Sequence, residues 1–199
     1  MKASKKERKD FVGIDEVGRG PLAGPVALCA FLWFGNRVPK ELKWIKDSKK
    51  ISEKKREEWY AKILEFKKEG KCDFRVVYKS AKYIDKWGIS NAIKEALKSA
   101  LTPLPLNSKK VTVLLDGGLK APSEYLNQET IIKGDTKEFV ISAASIMAKV
   151  SRDKLMKKLR KKFPKYGFEI HKGYGTVAHR KAVREFGMCE EHRRTYIHG

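Results

Sequence analysis

The chain of 199 residues carries 45 Lys and Arg against 24 Asp and Glu, a formal net charge of +21 at pH 7. Hydrophobic residues make up 41% of it, which is enough for a buried core and excludes a wholly disordered protein. The longest apolar run, residues 25–34, falls far short of the roughly 18 apolar residues that a membrane-spanning helix needs. So large a positive charge predicts a polyanionic partner, most simply nucleic acid, although a basic surface that serves only solubility would have the same composition.

Cysteine usage and the N-terminus indicate the compartment. The basic N-terminal residues are followed by acidic ones and by no small-residue cleavage site, so we expect a cytoplasmic protein. The chain has three widely separated cysteines without CxxC spacing, Cys29, Cys72 and Cys189. This pattern predicts neither a disulfide framework nor a zinc site.

The first predicted elements are two β-strands, over residues 11–15 and 25–34, joined by a glycine-rich loop. Ser52 then predicts the N-cap of a helix that runs to about residue 68, and Gly70 ends it. Further strands are predicted over residues 74–78, 111–115 and 129–132, and further helices over residues 89–101, 139–162 and 177–186. Thr176 is the predicted cap of the last helix. This order favours an α/β fold with a mixed sheet flanked by helices.

Acidic residues stand at the ends of these apolar strands. Asp15 and Glu16 close the first strand, Asp116 closes the strand over 111–115, and Asp135 precedes the long helix. A half-buried carboxylate needs a cation or a proton nearby. A cluster of carboxylate oxygens suits Mg²⁺ or Mn²⁺ better than it suits zinc. These acids are therefore candidate metal ligands.

Each acid by itself is explained equally well as a helix cap, a turn residue or one half of a surface ion pair. In a regular strand Asp15 and Glu16 point to opposite faces, so joint metal binding requires the chain to twist at the strand end. Four such acids in a strongly basic chain nevertheless favour a site where two divalent ions act on a phosphodiester. The reaction class that this chemistry predicts is phosphodiester hydrolysis.

Six short motifs in a fixed order point to one family. Residues 13–26 read GIDEVGRGPLAGPV and resemble the N-terminal signature of type 2 ribonuclease H, ribonuclease HII. The family is matched again by DSKK at 47–50, LDG at 115–117, KGD at 133–135, SAASIMAKV at 142–150 and HKGYGT at 171–176. Each block alone is weak, but six ordered blocks over residues 11–194 do not agree by chance.

The resemblance implies roles for the four acids. Asp15, Glu16, Asp116 and Asp135 would be the catalytic residues and would hold two Mg²⁺ or Mn²⁺ ions. Type 3 ribonucleases H usually carry Glu at the fourth acidic position and a sizeable N-terminal substrate-binding domain, and type 1 enzymes lack the Gly-Arg-Gly signature. Type 2 is therefore the favoured family.

The resemblance also implies a set of substrate-binding residues: Gly18, Arg19, Gly20, Ser48, Lys49, Lys172 and Tyr174. The Gly-Arg-Gly backbone would approach the 2′-hydroxyl of the cleaved nucleotide, the one group that distinguishes RNA from DNA at the sugar. Tyr174 would pack on the sugar beside the scissile bond, while the serine and the two lysines would contact phosphate. The alternatives are a plain tight turn, a core aromatic residue and solvated surface lysines.

The resemblance implies a ribonuclease H-like mixed β-sheet flanked by helices, with residues 1–163 as the catalytic domain. Residues 164–199 would form a helical C-terminal extension that contributes to the substrate site. The expected enzyme cuts the RNA strand of RNA–DNA hybrids and incises 5′ of ribonucleotides embedded in duplex DNA, leaving 3′-hydroxyl and 5′-phosphate ends. It would serve ribonucleotide excision and primer removal.

The expected partners are RNA–DNA hybrids and duplex DNA that contains ribonucleotides. We expect a monomer with no membrane contact. Some members of the family carry a C-terminal clamp-binding peptide that begins with Gln, and residues 193–199 contain no Gln, so we predict no clamp contact.

Two rival classes stay open at this stage. A non-catalytic basic protein that binds RNA or hybrids would have this composition but would leave the four acids unexplained. A different two-metal nuclease, such as a junction resolvase or an integrase, would cut all-DNA substrates, against which the Gly-Arg-Gly signature argues.

Two further features of the tail need an interpretation. His171, His179 and His192 lack metal-ligand spacing, so we assign them neither a catalytic nor a zinc role.

The basic segments 157–162 and 193–194 are predicted to support a duplex backbone, although a solvated basic face would look the same.

Overall fold

A five-stranded mixed sheet forms the centre of the computed structural model, which describes residues 10–34 and 51–197. The strands are β1 (Phe11–Val17), β2 (Val26–Trp33), β3 (Cys72–Lys79), β4 (Thr112–Asp116) and β5 (Asn127–Ile131). They lie in the order β3-β2-β1-β4-β5. β1 pairs antiparallel with β2 and parallel with β4, so the meander formed by the first three strands joins a parallel half at β1.

Seven helices surround the sheet in the described residues. They are α1 (Glu53–Lys68), α2 (Ala81–Trp87), α3 (Ile89–Leu101), α4 (Gly134–Lys137), α5 (Phe139–Leu159), α6 (Phe168–His171) and α7 (Val177–Phe186). Short 3-10 turns occupy Pro164–Tyr166 and Arg194–Tyr196. The helix α5 is not long and apolar enough to cross a membrane, and neither is any other helix among residues 10–34 and 51–197.

Apolar residues cover both faces of the sheet. All eight residues of β2 are buried, which is the pattern of a central strand covered on both sides. Its alternate side chains enter two different clusters: Leu28, Ala30 and Leu32 pack with α3, whereas Cys29, Phe31 and Trp33 pack with α1 and α5. The sheet is therefore the middle layer of an α/β/α arrangement.

The first half of α5 lies unusually close to β1. A Cβ on Gly13 would stand 2.1 Å from the carbonyl carbon of Val140 and 2.4 Å from the amide nitrogen of Ile141. Only a residue without a side chain permits this approach. The contact brings the N-terminal end of α5 beside the acidic end of β1.

The predicted α/β fold with a mixed sheet is confirmed. The helices at 89–101 and 177–186 have the bounds that the sequence predicted, and Ser52 and Thr176 accept the capping hydrogen bonds. β1 runs two residues beyond the prediction, and α5 ends at Leu159 rather than near residue 162. The short helices α2, α4 and α6 were not predicted.

Residues after the sheet core return to the loop between β1 and β2. Phe168, Ala23 and Met156 form a third, smaller buried cluster. All three cysteines are free, as predicted, with Cys29 and Cys72 buried in the sheet layer.

Candidate active site

Asp15 and Glu16 lie within β1 and keep its alternation. They pair with Cys29 and Leu28 of β2, so their side chains lie on opposite faces of the sheet. Asp15 is 3% exposed, and its Oδ1 accepts a hydrogen bond of 2.8 Å from the backbone N–H of Glu16. The predicted twist at the strand end does not occur before Glu16, because β1 continues to Val17.

Glu16 is held by a neighbouring cation and still has one oxygen to spare. Its Oε1 accepts a hydrogen bond of 3.1 Å from Nη1 of Arg19. Its Oε2 is buried and accepts no hydrogen bond from the described residues. Burial raises the pKa of Glu16, and the negative charge of Asp116 raises it further, while Arg19 opposes both. The two carboxyl groups therefore share one electrostatic environment.

Asp116 ends β4 and is tied to the segment that carries Asp135. Because β4 pairs parallel with β1, their carboxyl-terminal ends meet at the same edge of the sheet. Oδ1 of Asp116 accepts a hydrogen bond of 2.7 Å from the backbone N–H of Gly134. Asp135 is 2% exposed and lies in α4, not in the turn before α5. Its carbonyl accepts a bond of 2.5 Å from Oγ of Ser142 in α5.

These four acids have the chemistry of a Mg²⁺ or Mn²⁺ site but do not form a closed set of ligands. Within residues 10–34 and 51–197, no group of three or more His, Cys, Asp and Glu side chains is placed to hold a metal ion. Arg19 and the N–H of Gly134 each occupy an oxygen that an ion would use. The observation in favour of a metal is the buried, unbonded Oε2 of Glu16 in an all-oxygen donor set.

The glycine-rich loop, residues 18–25, is fixed by the C-terminal part of the chain. The N–H groups of Leu22 and Ala23 both donate to the carbonyl of Gly173, at 2.9 and 3.2 Å. The N–H of Gly24 donates to the carbonyl of Glu191 at 2.8 Å. The structure therefore brings together the Gly-Arg-Gly motif and the HKGYGT motif, which are far apart in the chain.

Gly18 and Gly20 differ in what surrounds them. Gly18 has a φ of +92°, and a Cβ there would stand 2.4 Å from Nε of Arg152. Its identity is explained by the packing of the loop on α5. Gly20 is exposed, and no atom lies within 4 Å of the position of a Cβ. Of the two, Gly20 is the one that leaves room for a ligand.

Tyr174 lies next to this loop with much of its ring accessible. The residue is 41% exposed, and Cζ of Arg152 stands 5.9 Å from the ring centroid. Its carbonyl accepts hydrogen bonds from the N–H of Thr176 at 2.8 Å and from Nδ1 of His179 at 2.9 Å. The backbone of Tyr174 is therefore fixed while one face of the ring remains open.

The three predicted phosphate contacts have different outcomes. Nζ of Lys172 donates to the carbonyls of Glu169 and Ile170, at 2.7 and 3.4 Å. Its ammonium group therefore caps carbonyl groups of α6. Ser48 and Lys49 lie outside the described residues.

Three histidines of the tail lie together in a cluster that the sequence did not predict. Nε2 of His179 lies 3.1 Å from Nε2 of His192, and Nδ1 of His192 accepts from the N–H of Cys189 at 2.9 Å. The ring of His171 stacks on that of His179 at 4.3 Å. Burial lowers the pKa of all three, that of His179 to about 4. The cluster supports Tyr174 through its carbonyl.

The prediction that residues 193–194 support a duplex backbone is wrong for Arg193. This side chain is fully buried and bonds to carbonyls of the glycine-rich loop. The run at 157–162 is partly ion-paired: Lys157 with Glu53, Arg160 with Glu169 and Lys162 with Glu190. Arg152 is also buried. Neither buried arginine carries a sequence signal that separates it from the other basic residues of the chain.

An open groove of about 780 Å³ begins beside the acids. It contains Arg19, the partner of Glu16, and Gly118, two residues beyond Asp116. Its basic lining comes from α3 and the segment after β4: Lys94, Lys98 and Lys120. Two acidic residues, Glu95 and Glu124, also line the groove.

Comparison with known proteins relates the chain to one family. The family model described as Ribonuclease HII matches residues 12–198. Ribonuclease HII of Fusobacterium nucleatum is 44% identical over 194 residues, which cover 96% of this chain and 87% of the relative. The ribonuclease H2 structure from Pyrococcus horikoshii superposes with a TM-score of 0.75 at 25% identity, covering 94% of this chain and 93% of that one. The structure of ribonuclease HII from Archaeoglobus fulgidus, solved in complex with PCNA, superposes with a TM-score of 0.73 at 25% identity and covers 95% of this chain and 96% of that one.

Proposed function

The chain belongs to the ribonuclease HII family and is an endoribonuclease of RNA–DNA hybrids. From this premise we propose that the enzyme is metal-dependent and that it also incises duplex DNA at embedded ribonucleotides. It would cut 5′ of the ribonucleotide and leave 3′-hydroxyl and 5′-phosphate ends. Such an activity serves the excision of misincorporated ribonucleotides and the removal of primer RNA.

The observation that carries the proposal is the environment of Glu16. Its buried Oε2 has no hydrogen-bond donor among the described residues, and burial, with a smaller contribution from the charge of Asp116, raises the pKa of Glu16. Burial disfavours the charged form of the Glu16 carboxyl group, and a nearby cation offsets that cost. Arg19, whose side chain is 55% exposed, contacts only Oε1 of Glu16. A divalent ion supplies the missing charge.

Asp15, Glu16, Asp116 and Asp135 would hold two Mg²⁺ or Mn²⁺ ions. When bound, such ions activate a water molecule and stabilise the leaving oxygen of an in-line displacement. The protein contributes fixed positions: Asp116 is held by the N–H of Gly134, and Asp135 lies in α4 directly after that residue. Glu16 would bind the ion through its free Oε2, while Arg19 keeps its contact with Oε1.

Selection of the ribose is assigned to the Gly-Arg-Gly loop and Tyr174. The open space at Gly20 allows a sugar to approach the backbone, which can donate to a 2′-hydroxyl without reading the base. The accessible ring of Tyr174 offers an apolar face for the neighbouring sugar. Residues 164–199 would thus act as an extension that completes the substrate site. Lys172, Ser48 and Lys49 remain proposed phosphate contacts.

A cleavage assay on an RNA–DNA hybrid tests the metal dependence. We expect hydrolysis with Mg²⁺ or Mn²⁺, none with EDTA, and none for Asp116→Asn with either ion. Glu129→Gln, on the exposed edge strand β5, is the matched control and should cleave like the wild type. Equal cleavage in EDTA, or full activity of Asp116→Asn, would contradict the proposal.

A further inference from the structure

Two buried guanidinium groups hold the glycine-rich loop from beneath. Arg193 donates to three of its carbonyls: Nε to Gly24 at 3.0 Å, Nη1 to Arg19 at 2.8 Å and Nη2 to Gly18 at 2.6 Å. Arg152 donates to the carbonyls of Pro25, Ala23 and Lys172, at 2.8, 3.2 and 2.9 Å. Both side chains are fully buried.

Neither guanidinium is neutralised by a carboxylate. Within the described residues the identified ion pairs involve other cations, and the two arginines donate six hydrogen bonds to backbone carbonyls. Burial and the charge of Arg152 together lower the pKa of Arg193 to about 10, and burial lowers the pKa of Arg152, so both remain protonated at neutral pH. Two uncompensated buried cations are costly to a fold. A phosphate above the loop would offset that cost.

The bonds to Arg193 also fix the direction of two N–H groups. The carbonyls of Gly18 and Arg19 share peptide planes with the N–H groups of Arg19 and Gly20. Both bonds are trans, since the described residues include no cis peptide, so each N–H points away from the guanidinium. Neither N–H donates to a main-chain carbonyl in the described part of the chain. Arg19 and Gly20 are both exposed, so these donors face the open side of the loop.

We propose that Arg193 is a positioning residue that presents the N–H groups of Arg19 and Gly20 to the ribose and phosphate of the cleaved nucleotide. The inference rests on the proposed function, because it assumes that this loop reads the ribonucleotide. Arg152 holds the other half of the loop and, through the Lys172 carbonyl and the Tyr174 ring, fixes it against the HKGYGT motif.

The planar fork of arginine is essential to this role. Three donors in one plane reach three carbonyls at once, whereas the ammonium group of lysine is a compact point charge. Arg193→Lys therefore keeps the charge beneath the loop and releases at least one of the two peptides. The variant separates orientation from charge.

The test is a pair of dissociation constants measured in EDTA, where no cleavage occurs. One duplex contains a single ribonucleotide and the other is all DNA. For the wild type we expect tighter binding of the first, and for Arg193→Lys a loss of about fivefold to tenfold in that preference, the value of one hydrogen bond. Affinity for the all-DNA duplex should not change. Arg184→Lys, exposed on α7, is the matched control.

A folded Arg193→Lys with the full preference of the wild type would overturn the inference. A wild type with no preference and no cleavage at the ribonucleotide would overturn the proposed function as well, so the two failures are distinguishable. If Arg193→Lys does not fold, amide NMR of the wild type decides. The N–H signals of Arg19 and Gly20 should shift with the ribonucleotide duplex and not with the DNA duplex, and equal shifts with both would overturn the inference.

Discussion

The hydrogen bonds of the histidine cluster define the tautomer of each ring. The N–H of Cys189 donates to Nδ1 of His192, so the proton of His192 is on Nε2 and is donated to Nε2 of His179. His179 then carries its proton on Nδ1 and donates it to the carbonyl of Tyr174. This chain of bonds exists only while both rings are neutral, because a second proton on either ring removes an acceptor.

Stability should therefore depend on pH in a defined direction. The pKa of His179 is about 4 in the folded protein, against an ordinary value near 6.5, so the unfolded chain binds more protons between these values. Stability is complete above about pH 6.5 and falls as the pH drops towards 4, by up to about 3 kcal/mol from this residue. Urea unfolding at a series of pH values measures it. His179→Gln should flatten the profile, and an unchanged slope would count against the neutral relay.

At the level of residues, the four acids show which features of the site can be predicted from the sequence. The position of Asp116 at the end of a strand was predictable, because an acid after an apolar strand is visible in one sequence, whereas Asp15 and Glu16 lie within β1 and Asp135 lies in α4. The roles of Arg152 and Arg193 were not predictable, since the charge pattern of a strongly basic chain does not tell a buried arginine from an exposed one. Burial of these two results from contacts between segments about 130 to 175 residues apart.

At the level of elements, helices α3 and α7 were predicted to the residue, α5 ends before the predicted residue, and the short helices were missed. Helix α3 has six buried apolar residues at helical spacing, which fixes its bounds. Helices α4 and α6 have four residues each, too few for a periodic pattern, and tertiary contacts hold them. One of these unpredicted helices carries Asp135, so its exact backbone placement was beyond sequence analysis.

The contact between β1 and α5 gives a test at this scale. Gly13→Ala places a Cβ 2.1 Å from the backbone of Val140, so the helix must move, and we expect a loss of about 3 kcal/mol in the free energy of unfolding. Chemical denaturation measures the change. Gly118→Ala is the control, because no atom lies within 4 Å of its Cβ position, and it should be neutral to within about 0.5 kcal/mol. Equal effects of the two substitutions would contradict the close packing.

The cap of α7 gives a second test. Oγ1 of Thr176 accepts a hydrogen bond of 3.2 Å from the N–H of His179. Thr176→Ala should lower the free energy of unfolding by about 1 kcal/mol, while Thr176→Ser, which keeps the hydroxyl, should restore most of it. Thermal or urea unfolding reports both values. Identical stabilities for the two variants would show that the cap contributes nothing.

The whole molecule combines a net charge of +21 with a cluster of acids at one edge of its sheet. The positive charge would concentrate a polyanion near the protein whatever its nucleotide sequence, whereas the acids are the proposed place of the chemistry. The groove that contains Arg19 and Gly118 lies beside the acids, and we propose it as the path of the strand. On this proposal, attraction of the nucleic acid and selection of the cleavage site belong to different parts of the structure.

Salt should separate these two contributions. The logarithm of the affinity for duplex DNA should fall linearly with the logarithm of the salt concentration, by about tenfold or more between roughly 50 and 200 mM. Lys94→Gln and Lys98→Gln, which change the groove, should each reduce the slope by about 1. Lys71→Gln, whose side chain pairs with Glu69 outside the groove, should leave the slope unchanged. Slopes that are the same for all three variants would exclude the groove as the path.

The central claim is that the four acids and the Gly-Arg-Gly loop act together at one ribonucleotide. Its most direct test is the cleavage of an end-labelled DNA duplex that contains a single ribonucleotide, with Mg²⁺, by the wild type and by Asp116→Asn. We predict one cut immediately 5′ of the ribonucleotide, with a 3′-hydroxyl end, absent from the variant and from an all-DNA duplex. Cutting of the all-DNA duplex at the same rate, or tight binding without any cut, would contradict the account.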